Sequence, residues 1–290
     1  MKKEVKLVNK VKRLLKQLKC PMYGHRFGPK KYKFYEHIVA LLIRYYCRLS
    51  YRRVVYFLDL LGIKCPSKSA LQYTANKIKS EFWNRLLELT SGAKHEIIAL
   101  DATGFSRTNP SYHYLRRIDG KIPKIYVKLN TGLSILNRKF CAAKIRIIPA
   151  HDIKDALALL RKVNTRKVVA DKGYDANYLH EYCFSNNIEA HIPLREYGKS
   201  KHKNWSKRRL AAKHFDKTVY HQRELIESCF GSVKRKYGSS VNSKKASTIK
   251  SDIYGRLVCH NIFYYFIRVL GQSLLAFLNV IYVFFFYFIC

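Results

Sequence analysis

The 290 residues carry 56 Lys and Arg against 19 Asp and Glu, a formal net charge of +37, and 48% are hydrophobic. Such a chain can bury a substantial core, but the charge excludes an ordinary enzyme of small metabolites, because self-repulsion opposes compaction unless a polyanion offsets it. Nucleic acid fits best, since Lys and Arg contacts to phosphate release condensed counterions; an anionic membrane surface and an acidic protein are the rivals. Eight cysteines, at positions 20, 47, 65, 141, 183, 229, 259 and 290, form no C-x-x-C pair, which argues against a zinc ribbon. The basic N-terminus lacks the apolar run of a secretory signal, so free thiols in a reducing cytoplasm are expected.

Residues 1–19 read as a basic amphipathic helix, with Leu7, Val8, Val11, Leu14, Leu15 and Leu18 on one face. Breakers follow at Pro21, Gly24, Gly28 and Pro29. Residues 33–89 look all-helical. One apolar segment runs from Phe34 to Cys47. Ser50 can cap the next, whose apolar face is Val54, Val55, Leu58 and Leu61, and Gly62 ends it. Pro66-Ser67 opens a third helix bearing Leu71, Ala75, Ile78 and Phe82. Two short helices joined by a glycine-containing turn suggest helix-turn-helix, with Lys68, Gln72 and Lys79 facing DNA; a plain helical bundle is the other reading.

Beyond residue 94 the pattern changes. His95–Leu100 is an apolar run ending at Asp101, Lys124–Leu129 and Lys139–Ile148 look like strands, and Asp152–Val163 is helical. Lys167–Ala170 is a buried strand ending at Asp171, Asn177–Ser185 is helical, and Ile188–Ile192 is strand-like. Arg195–Arg209 is a basic loop, and long helices are expected over Phe215–Lys236 and Ser247–Val269. Strands alternating with helices imply a three-layer α/β fold. Gly271–Cys290 holds no charged side chain. It reads as a membrane anchor, as a segment buried by the domain or a dimer, or as an unselected tail from a shifted reading frame.

Asp101 and Asp171 each close an apolar strand-like run, I-I-A-L-D and V-V-A-D. Either aspartate alone would be read as starting a turn. On the late helix, Tyr220, Arg223, Glu227 and Lys234 fall within an arc of roughly 60° at about 100° per residue; by itself this is also an ordinary ion-paired face. Together the three acids are different, because converging carboxylates repel one another unless cations intervene. They are natural ligands for Mg²⁺ or Mn²⁺, and two such ions can drive phosphodiester displacement. Asp175 and Glu224, near these acids, read as structural or solvated, and Asp152 and Asp155 as helix N-terminal acids. Cys259-His260 and Cys20 with His25 read as structural rather than metal-binding. Trp205 could stack on an exposed base or be buried at an interface.

The chain resembles the DDE transposases of prokaryotic insertion sequences that bear the Tyr-x2-Arg-x3-Glu-x6-Lys signature. It reads Y-H-Q-R-E-L-I-E-S-C-F-G-S-V-K from Tyr220 to Lys234, with A-L-D-A-T-G-F around Asp101 and V-A-D-K-G-Y-D around Asp171. The resemblance covers about residues 95–268 and implies a ribonuclease-H-like mixed sheet with flanking helices. Pattern and resemblance together divide the chain into a basic helix and linker (1–31), a helical DNA-binding region (32–93), the catalytic domain (94–269) and the apolar tail (270–290). It further implies that Asp101, Asp171 and Glu227 are catalytic and bind two Mg²⁺ or Mn²⁺ ions. Tyr220, Arg223 and Lys234 would contact the transferred DNA end, with Lys172 adding a phosphate contact. The expected partner is double-stranded DNA, held by a homodimer in the nucleoid. The rival readings are a metal-dependent nuclease without joining activity, a decayed copy that only binds DNA, and a membrane-anchored protein.

Overall fold

The computed structural model describes residues 3–24, 27, 30–107, 126–195 and 206–264. The apolar tail, His25, Trp205 and most of the basic loop lie outside them. Among the described residues no helix is long and apolar enough to cross a membrane.

The N-terminal helices are α1 (Lys3–Gln17), α2 (Phe34–Tyr46), α3 (Tyr51–Leu60), α4 (Lys68–Lys77) and α5 (Ser80–Ser91). The apolar stripe of α1 buries Val11, Leu14 and Leu15. Ser50 and Ser67 cap α3 and α4 by accepting from the N–H groups of Arg53 and Ala70 at 3.1 and 3.4 Å, which satisfies donors that a helix start leaves open. Two details differ from expectation. Leu61 lies outside α3 and is half exposed, because the helix stops before it and Gly62 turns back at φ 64°. The helix opened by Ser67 is two helices, since Ile78 is extended (ψ 122°) and Ser80 starts anew. The α3–α4 connection spans residues 61–67, longer than a helix-turn-helix turn.

The sheet follows as β1 (His95–Arg107), β2 (Tyr126–Ser134), β3 (Lys139–Arg146), β4 (Thr165–Ala170), β5 (Glu189–His191) and β6 (Ser240–Val241). Helices α6 (Ile153–Leu160) and α7 (Asn177–Ser185) are interleaved with the strands, and α8 (Lys207–Lys213), α9 (Lys217–His221), α10 (Glu224–Tyr237) and α11 (246–264) come later. The strand order is β3-β2-β1-β4-β5, with β6 beside the far end of β1. Pairings β1–β2 and β2–β3 are antiparallel, and β1–β4 and β4–β5 are parallel. This is the mixed, ribonuclease-H-like sheet the sequence leads one to expect.

Side-chain alternation along β1 sorts the two faces. Ile97 and Ala99 join a core shared with α1, α2, α5, α10 and α11, whereas Ile98 and Leu100 join a second core under α6 and α7. Edge strand β3 is covered rather than bare. Asn261 pairs with both the N–H and the C=O of Phe140 at 2.9 and 2.7 Å, and the Ala143 N–H donates to Asn84 Oδ1 at 2.9 Å. An unpaired edge is thereby closed to other chains.

Helix α11 is buried along almost all its described length. At Gly255 the helix backbone meets the buried Tyr45 ring so closely that a Cβ would lie 2.1 and 2.2 Å from two ring carbons. Helix propensity alone would make Gly255→Ala stabilising by about 1 kcal/mol. Overpacking a buried ring costs about 1–3 kcal/mol or more, so the clash wins. We expect Gly255→Ala to lower the Tm by a few degrees; an unchanged or higher Tm would show that α2 does not seat on α11 as described.

Candidate active site

The sheet register brings the first two carboxylates together. Leu100 pairs with Ala170 in the last rung between β1 and β4, so Asp101 and Asp171 follow one step later on neighbouring strands, roughly 5 Å apart at the backbone. By alternation each continues the face of Ala99 and Val169, which belongs to the core under α10. One expectation is corrected. Asp101 does not end its strand: β1 continues to Arg107, held by β2 on one side and at its tip by β6. What ends at Asp101 is the pairing with β4, and that opens the rim.

Helix α10 supplies the third acid. It buries Ile226, Cys229, Phe230, Val233 and Tyr237. Arg223, Glu227, Gly231 and Lys234 flank that stripe and line a cleft of about 460 Å³ with Asp101, Ala102, Thr103, Asp171 and Phe230. The expected continuous helix over Phe215–Lys236 is corrected as well: it breaks between α9 and α10. The N–H groups of Gln222, Arg223, Leu225 and Ile226 bond three residues back rather than four, tightening the chain at the break. Tyr220 is thereby outside the cleft, packed on Phe215 with ring centroids 5.4 Å apart. Lys172 is exposed beside the Asp171 turn and does not line the cleft.

Each aspartate has one oxygen fixed by backbone. Asp101 Oδ1 accepts the Ala102 N–H at 2.7 Å and Asp171 Oδ1 accepts the Gly173 N–H at 2.9 Å. Gly173 is required for this, since a Cβ there would lie 2.8 Å from Asp171 Oδ1. The Arg223 guanidinium bridges Asp101 and Glu227, donating to Asp101 Oδ2 at 3.2 Å and Glu227 Oε1 at 2.7 Å. Burial opposes the charged guanidinium, but Glu227 and Asp101 outweigh it and raise its pKa. Burial lowers that of Lys234.

The Asp101 carboxyl is pushed up to about 6. Burial is the main cause and the Asp171 and Glu227 charges add to it, while the Ala102 N–H and Arg223 oppose. Among the described residues no three metal-type side chains close into a finished cluster, and the cation between Asp101 and Glu227 is Arg223. Asp171 Oδ2 and Glu227 Oε2 have no hydrogen-bond partner there. A half-buried acid whose pKa is raised, two open carboxylate oxygens and a guanidinium standing in for a cation make a donor set that fits divalent metal.

An acid whose folded-state pKa exceeds its unfolded value favours folding only while protonated. The stability linked to Asp101 is therefore present below about pH 4 and lost as the pH rises through about 6. A rise from 3.8 to about 6 is about 3 kcal/mol, or about 2 kcal/mol after discounting partial exposure. In EDTA at pH 7.5, Asp101→Asn should be the more stable protein, with the difference shrinking toward pH 4.5. A less stable variant at pH 7.5 would contradict the assignment of an uncompensated carboxyl.

Sequence patterns do not reveal what holds the Asp171 turn. Asp175 is buried and accepts from His180 Nε2 at 3.1 Å, the Arg195 N–H at 2.5 Å and Arg208 Nε at 2.6 Å, with Arg208 Nη2 also bound. Arg195 Nε in turn donates to the Lys172 carbonyl at 2.7 Å. Asp155 is likewise more than a helix-end acid: it is fully buried against Arg146, Lys144 and Asn130. Glu224 is exposed, and Cys259 and His260 are core residues bonded to backbone carbonyls of Leu42 and Arg138.

A family model described as a transposase DDE domain matches residues 92–262. The chain belongs to the DDE transposase family. It is an enzyme of DNA transposition, and the family generally works with divalent metal ions. The transposase is similar over 90% of its length to 73% of a piggyBac transposase chain, solved by cryo-EM as a synaptic complex with hairpin DNA, at 10% identity and a TM-score of 0.41. No curated protein matches it.

Proposed function

We propose that Asp101, Asp171 and Glu227 form the catalytic centre of an insertion-sequence transposase that cuts duplex DNA at element ends and joins the freed 3′-hydroxyl to target DNA. The observation that carries this is the convergence of the three carboxylates, with Arg223 and Lys234, in one cleft at the sheet rim. Two Mg²⁺ or Mn²⁺ ions held by the acids would activate the attacking oxygen and stabilise the leaving one. Lys234 holds a phosphate beside the acids, and Arg223, once released from Asp101 and Glu227, binds the transferred end. Tyr220 and Lys172 flank that path, while Lys68 and Gln72 contact DNA further out on α4. Two copies pair the two ends in the nucleoid.

The test is a pre-cut element end offered with Mg²⁺ and supercoiled plasmid. Strand transfer, appearing as the labelled end joined to plasmid, is expected. Nicking without joining would leave a metal-dependent nuclease instead.

A further inference from the structure

A second cleft of about 610 Å³ opens between the C-terminal end of α2, the start of α3 and the segment that follows α10. Arg44, Arg48, Arg53, Lys244 and Lys245 face it, and the acid among its lining residues is Asp252. Asp252 is already engaged by Arg256 at 3.1 Å, and Arg44 reaches it only at 3.9 Å. Arg48, Arg53, Lys244 and Lys245 have no acidic partner among the described residues. Two buried polar atoms at the cleft also lack partners, the Tyr45 hydroxyl and Arg44 Nε. Tyr45 is only 2% exposed, and such a donor is costly to leave unpaired.

Arg48 is the most telling of the five. It occupies the left-handed region at φ 56°, just past the end of α2, where the Leu49 N–H reaches back to the Arg44 carbonyl. Glycine is the favoured residue at such a helix end. Here an arginine takes the position, and its guanidinium lies over Gly238, 3.3 Å from where a Cβ would sit.

We infer that this cleft is a second docking surface for the phosphodiester backbone of duplex DNA, continuous with the catalytic cleft. The inference rests on the reading that the chain acts on duplex DNA. Helix α10 joins the two sites, with Glu227 in one and Tyr237 in the other. Ten residues of helix span about 15 Å, or four to five phosphates of one strand at about 3.4 Å each. A duplex running along α10 with a phosphate at the carboxylates would present further phosphates to Arg48 and Lys244. Five cations from three segments around an open mouth suit an extended polyanion.

The test is binding of a fluorescein-labelled 40-base-pair duplex to the full chain in EDTA, followed by anisotropy across a salt series. The variants are Arg48→Gly alone and Arg48→Gly with Lys244→Gln and Lys245→Gln. Arg48→Gly should melt no lower than the parent, since glycine suits that backbone, yet bind more weakly. For the triple variant we expect affinity at 0.15 M salt to fall about tenfold or more. Its slope of log K against log salt should be shallower by about 0.9 for each phosphate that is no longer neutralised. Parent-like affinity and slope in the triple variant would overturn the cleft while leaving the DNA reading intact. A parent chain that does not bind duplex at all would overturn both.

Discussion

Asp175→Asn is expected to cost about 3–5 kcal/mol of stability, the range for removing one partner of a buried ion pair. The carboxylate is buried with the Arg208 guanidinium on it, and His180 and the Arg195 N–H complete its shell. Burial by itself would raise the Asp175 pKa, but these partners hold it well below the usual carboxylate range. A depressed pKa gives stability that is present above the unfolded value, near 4, and is lost as the pH falls through the folded one. The deficit of the variant should thus be full at pH 7 and narrow in acid. The same network clamps the turn after Asp171 through the Arg195 bond to the Lys172 carbonyl, so activity should fall with stability. Urea unfolding of parent and variant at pH 7 measures the effect; a loss under 1 kcal/mol would mean the network is not formed.

Much of this fold is written in local sequence. The stripe of α1, the serine caps of α3 and α4 and the bounds of α7 follow from short-range rules, because the physics that sets them acts within one or two turns. What local rules miss acts at long range. Residues 102–107 lie beyond the apolar run that closes at Asp101, yet they are strand, since β2 and β6 supply pairing from elsewhere in the chain. The break at Gln222 carries no glycine or proline, so periodicity runs straight through it and puts Tyr220 on a face it does not share with Glu227. Asp175 reads only as structural or solvated because Arg208, its main partner, comes after the basic loop. The basic cleft is hidden in the same way: Arg48 and Lys244 are neighbours only once α2 and the end of α10 have packed.

The candidate site is more legible than the fold around it. The two Asp motifs and the Tyr-Arg-Glu-Lys spacing point to three acids, and the structure explains why they meet. Register puts Asp101 beside Asp171, alternation turns both toward α10, and the buried stripe of α10 fixes which side of that helix Glu227 lies on. Sequence spacing shows the Arg223 bridge only as an i,i+4 pair with Glu227; its bond to Asp101 needs the third dimension.

The second large effect is catalytic and falls on the three carboxylates. Mg²⁺-dependent cleavage of an element-end duplex should be measured for the parent and for Asp101→Asn, Asp171→Asn and Glu227→Gln separately. Each amide keeps the size of the side chain and removes the charge that, in the proposed centre, would hold a metal ion and stabilise the displacement, a contribution of several kcal/mol. Loss of about 4 kcal/mol corresponds to roughly a thousandfold in rate. At least that loss is expected for all three, with duplex affinity in EDTA not reduced. Cleavage within tenfold of the parent in any one of them would contradict the assignment of that carboxylate to the catalytic centre.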